Sequence, residues 1–102
     1  MSKVRLGHLD FTIIEMAYVN AKDSYGLYVP DAQEIHICRG MTRHKQGEIL
    51  LHEIMHGIVD VQSLQFVLKD NEEQVVRSMA VGMADVIRDN QKLFLDIVKS
   101  LK

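Results

Sequence analysis

Leu51-His-Glu-Ile-Met-His-Gly57 sits in the middle of a segment whose apolar residues return at intervals of three and four. Ile49, Leu50, Leu51, Ile54, Met55 and Ile58 at that spacing cover one broad face of an α-helix. Thr42 stands where a side-chain oxygen can cap the first turn, and the pattern continues to about Asp60. The spacing therefore predicts a largely buried helix from Thr42 to Asp60, with His52, Glu53 and His56 at its centre. Three ionisable groups in so apolar a helix need partners, because a polar group taken from water without one is costly.

A single metal ion satisfies all three. Residues four apart on an α-helix differ by about 40° in direction, so both imidazoles point the same way and can share one cation. Glu53 points elsewhere, towards a water on that cation, where it can serve as general base. Two imidazoles and one carboxylate suit Zn2+, with a fourth position left for water. The competing reading is two ordinary histidines beside a helix-stabilising glutamate. Random shuffling of a chain with 5 His yields the HExxH pattern about once or twice in a hundred times.

The third ligand has to come from outside this helix. Asn71 can cap a second helix, with Glu72 and Glu73 in its first turn and Val76, Met79, Ala80, Met83 and Ile87 as its apolar stripe. Glu72 lines up with Val76, Met79 and Met83, whereas Glu73 lies to one side of Val76 and Ala80. Periodicity leaves both open as ligands, and both also suit the positive end of the helix dipole. Asp89-Asn90 breaks the pattern, and Leu93, Phe94, Ile97, Val98 and Leu101 mark a last amphipathic helix. Ser63 to Asp70 reads equally as a helical extension or a buried loop.

Upstream of the motif the pattern is that of strands. Phe11-Thr-Ile-Ile-Glu-Met16 is short, apolar and β-branched, and Asn20 to Gly26 is polar and turn-like. Gly26-Leu-Tyr-Val29 and Glu34-Ile-His-Ile-Cys38 flank Pro30-Asp-Ala-Gln33 as the arms of a hairpin. Ile35 and Ile37 alternate with Glu34, His36 and Cys38, which buries one face. The expected fold is α+β: a small N-terminal antiparallel sheet, the HExxH helix, then one or two C-terminal helices, in a single domain over residues 1–102.

Bulk composition excludes several classes. A chain of 102 residues, 47% hydrophobic and 25% charged, is an ordinary globular domain. A net charge of −2, with no Lys/Arg run longer than two, argues against nucleic acid as a partner. No stretch has the roughly 18 apolar residues of a membrane span, and the N-terminus lacks the apolar run of a signal peptide. A single cysteine, Cys38, forms no internal disulfide, which fits the cytoplasm.

Leu51-His-Glu-Ile-Met-His-Gly57 followed by Asn71-Glu-Glu-Gln-Val-Val-Arg-Ser-Met-Ala80 resembles gluzincin-type zinc metallopeptidases. The likeness is strongest to the compact ones of phages and mobile elements, the ImmA/IrrE group and the minigluzincins. The hairpin ahead of the motif helix matches their order of elements, so the resemblance spans roughly residues 10–90, with only HExxH strongly specific. It implies His52 and His56 as zinc ligands, Glu53 as catalytic base and proton shuttle, and a peptide or protein as substrate. It favours Glu73, the second residue of the Glu-Glu pair, as third ligand, with Glu72 in reserve. It also implies a role for Asp60, as a partner of a ligand imidazole or as a helix cap. Many relatives carry an Asp four residues after the glutamate ligand; here those positions are Arg77 and Val76. Tyr25, Tyr28, His36 and Arg77 are candidates for stabilising an oxyanion by their chemistry alone. An edge position for Glu34–Cys38 would let an extended substrate add beside it.

Two other functions fit the same residues. One is a non-catalytic zinc module, with Cys38 or His36 as a fourth protein ligand closing the site. The other is a metal-free interaction protein or homodimer that uses Met79, Met83 and the last helix.

Overall fold

The computed structural model describes residues 3–17 and 25–102. The expected turn over Asn20–Gly26 lies outside the described residues except for its last two positions. Four strands, β1 (Lys3–Leu6), β2 (Leu9–Met16), β3 (Gly26–Val29) and β4 (Glu34–Cys38), precede four helices. These are α1 (Arg43–Val61), the single turn α2 (Gln65–Leu68), α3 (Glu72–Asp89) and α4 (Gln91–Ser100). The α+β layout is as expected.

The sheet order is β1-β2-β4-β3. β1 with β2 and β3 with β4 are antiparallel hairpins, and they join through a parallel pairing of β2 with β4. The sheet is therefore mixed rather than purely antiparallel. The first hairpin turns tightly at Gly7, whose φ of 63° is open to glycine, so that Leu6 faces Leu9 across a two-residue loop. The second turns through a 3-10 segment at Pro30–Ala32 and closes at Gln33, whose amide donates to the Pro30 carbonyl at 3.0 Å. β4 lies inside the sheet, not at its edge. The edges are β1 and β3; both touch α1, and β3 does so more extensively.

Alternation explains which face is buried. Phe11 on β2 and Ile35 and Ile37 on β4 point beneath α1 and pack with Leu6 and Leu50 into the core. Thr42 caps α1 as expected, its Oγ1 accepting the Lys45 amide at 3.2 Å. α1 is less buried than its apolar pattern predicts. Leu50, Gly57 and Val59 are buried along with Glu53, but Ile58 is 44% exposed.

α3 packs against α1 through Val76 and Ala80. Met83 and Ile87 are half-buried, while Met79, expected in the stripe, is exposed. Asn71 precedes α3 as expected but makes no side-chain capping bond. The ambiguous stretch before it forms α2 and a 3-10 turn at Lys69–Asn71. α4 touches little beyond the end of α3, leaving Leu93, Val98 and Leu101 exposed. No helix among the described residues is long and apolar enough to cross a membrane.

Candidate metal centre

α1 and α3 lie side by side, so the centre of one faces the first turn of the other. This brings His52, His56 and Glu73 together. Glu73 Oε1 is 3.0 Å from His52 Nε2 and its Oε2 is 2.8 Å from His56 Nε2. The two Nε2 atoms are 3.2 Å apart. Donors about 2.0–2.1 Å from a tetrahedral ion stand about 3.3 Å from one another, so this set fits one metal ion with little rearrangement. Burial holds the His52 pKa below its usual value, outweighing the pull of Glu73 in the other direction. A neutral imidazole is the form that binds metal.

Glu72 is not a member of the triad. Its Oε2 sits 2.7 Å from Nδ1 of His56. That contact orients the ring and leaves Nε2 for the centre, the job that a carboxylate behind a ligand histidine performs. The two adjacent glutamates thus take different tasks, because successive residues on α3 point about 100° apart.

Among the described residues Asp60 makes no hydrogen bond or ion pair with an imidazole, contrary to one of the roles the resemblance implies. Its Oδ2 accepts a hydrogen bond from the Tyr28 hydroxyl at 2.8 Å. Burial, with Asp60 adding to it, pushes the Tyr28 phenol well above its usual pKa, so it stays protonated and able to donate. Cys38 and His36 lie on β4 with other partners. The Cys38 thiol meets the Ala17 carbonyl, and His36 Nε2 is 2.8 Å from Glu34. Among the described residues, neither joins the triad as a fourth ligand.

Glu53 is 6% exposed and sits where β3 passes α1. Burial raises its pKa from 4.5 to about 7, against the lowering effects of His56 and of a hydrogen bond from the Tyr28 backbone. Gly26 makes the close approach possible. A Cβ there would lie 2.6 Å from Ile49 Cγ2 and 2.9 Å from Glu53 Oε2. A cavity of about 450 Å3 opens over the centre, walled by Leu27 and Tyr28 of the edge strand and by Asp60, Gln65 and Glu72 opposite. Of the oxyanion candidates, Tyr28 lines this cavity and Tyr25 and Arg77 line an adjoining one; His36 lines neither.

Several of these residues were not singled out from sequence. Gln65 lies in the ambiguous stretch, and its Oε1 is shielded from water without a hydrogen-bond partner. Lys45, which also lines the adjoining cavity, reads in the sequence only as a surface residue of the capped turn. Gly26 carried a signal, a glycine opening a strand, which marks a close backbone approach. Compared with models of known protein families, with curated proteins and with solved structures, the chain matches none.

Proposed function

We propose that the chain is a zinc-dependent peptide hydrolase, a compact gluzincin in layout, acting in the cytoplasm on an extended segment of peptide or protein. The observation that carries the reading is the convergence of His52, His56 and Glu73 beside a buried Glu53, in a cleft walled by a sheet edge. Zinc is the ion best suited to two imidazoles and one carboxylate, and would supply a Lewis acid that polarises the scissile carbonyl and makes water nucleophilic near neutral pH.

The chain's own residues supply the rest. β3 pairs with β4 on one side only; its outward Tyr28 amide is held by Glu53, so an added strand would pair with the remaining outward backbone groups. The Tyr25 carbonyl bonds to the Cys38 amide, so by alternation Gly26 and Tyr28 face the open side. Glu53 has a pKa of about 7 in the metal-free chain, and a cation held by the triad would lower it, leaving a carboxylate able to accept a proton. It takes one from the attacking water and passes it to the leaving amine. Glu72 keeps the His56 ring in register, and the Tyr28 hydroxyl stands in the cavity wall with its hydrogen bond given to Asp60.

The test is cleavage of a mixed peptide pool by zinc-loaded protein, read by mass spectrometry. Glu53→Gln should keep its zinc and lose cleavage by a factor of about 100 or more. Full activity in that variant refutes the role of Glu53, and a zinc-replete wild type that cuts nothing refutes the function.

A further inference from the structure

Gly26, His52, Glu53 and Glu73 line two cavities at once, of about 450 and about 320 Å3. The two are arms of one cleft that passes over the centre along β3. Tyr28 walls the first arm and Tyr25 the second. The arms differ in charge. The first is lined by Asp60 and Glu72 and by no lysine or arginine; the second is lined by Lys45 and Arg77.

The cations of the second arm keep donors to spare. Arg77 Nη2 is 3.6 Å from Glu73 Oε1, too long for a hydrogen bond, and its side chain is 69% exposed. Once Glu73 holds a metal ion, its claim on the guanidinium weakens further. Lys45 Nζ lies 5.6 Å from the centroid of the Tyr25 ring, a cation–π contact that keeps the ammonium at the wall. Of the other acids of this arm, Glu53 is buried and Glu48 lies 3.3 Å from His44.

The sheet edge gives the cleft a direction. Antiparallel pairing is the more stable mode, so a strand added to β3 runs opposite to it. Residues before the scissile bond then lie by Tyr28 and those after it by Tyr25. We infer that the arm carrying Lys45 and Arg77 is a subsite for a carboxylate on the C-terminal side of the scissile bond. That carboxylate is either an Asp or Glu side chain or the end of the substrate chain. The inference rests on the hydrolase reading above for what the centre does, and adds what it selects.

The experiment uses matched peptides built on a sequence the protein cuts, or on pooled peptides if it cuts none. Each carries Glu or Gln just after the scissile position, with a free or an amidated C-terminus. Cleavage is followed with zinc-loaded wild type, and binding with the zinc-loaded Glu53→Gln variant by fluorescence anisotropy. The carboxylate-bearing peptides should be favoured about fivefold or more in kcat/KM, chiefly through KM, and in the same order in binding. Glu against Gln, and free against amidated ends, separate the two sources. Lys45→Glu and Arg77→Glu should each abolish or reverse the preference while zinc content stays unchanged. Preference in binding without cleavage supports the subsite and overturns the hydrolase reading. Cleavage or binding with no carboxylate preference, or with one that both variants leave intact, overturns the subsite alone. No binding and no cleavage of any peptide overturns both.

Discussion

Glu53, buried beneath β3, holds its proton to about pH 7 in the folded chain and to about pH 4.5 in the unfolded one. Between those values the folded state binds a proton that the unfolded state has released, so this residue makes stability fall as pH rises through the window. The loss is complete above it and is at most on the order of 3 kcal/mol. His52, its pKa lowered, contributes in the opposite direction at overlapping pH, so the comparison must be with a variant. In metal-free protein, urea denaturation at pH 5 and pH 8 should show Glu53→Gln gaining stability relative to wild type at the higher pH. An equal difference at both values would contradict the assignment.

Glu72 allows a second test at this scale. Because it holds His56 Nδ1 without being one of the three donors, Glu72→Ala should weaken metal binding by about 10–100-fold, measured by chelator competition. Glu73→Ala should weaken it more. Equal effects would mean that both carboxylates are ligands. The convergence of the two histidines is legible in the sequence because it depends only on spacing along one helix. The division of labour between Glu72 and Glu73 depends on the rotation of α3 about its axis. That rotation is fixed by how Val76 and Ala80 pack against α1, a tertiary fact that periodicity does not carry.

Among the elements, the contact of β3 with α1 matters most, since it forms one wall of the cleft and covers Glu53. It tolerates no side chain at Gly26. Gly26→Ala should destabilise the fold by about 1–3 kcal/mol, as overpacking does, and should disturb Glu53 by pushing strand and helix apart. Thermal melts with and without metal would show it; an unchanged melt would place β3 further from α1 than described. The β3–β4 hairpin and the α1 boundaries were readable because Pro-Asp, the period-two run and the Thr42 cap are local signals. β1 leaves little mark in the sequence because it is four residues long and its one strong signal is the turn at Gly7. The parallel joining of β2 to β4, which puts β3 at the edge, is non-local and leaves no mark in either strand. The edge therefore falls on the other arm of the hairpin from Glu34–Cys38.

On the scale of the molecule, one face of the sheet and one face of α3 converge on α1, and the candidate metal centre and its two cavities lie along that helix. The helices beyond the centre are different in kind. Phe66, Val67, Leu95 and Leu101 are 74%, 75%, 62% and 80% exposed, so the apolar pattern of the last segment, although correctly read as helical, describes a surface rather than core. The most direct measurement is X-ray absorption at the zinc edge on the purified, zinc-loaded full chain, with metal content determined alongside. One zinc per chain, with the signature of two imidazoles, oxygen from a carboxylate and no sulfur, is what the proposed function predicts. A chain that retains no zinc, or whose zinc carries a thiolate or fewer than two imidazoles, would contradict it.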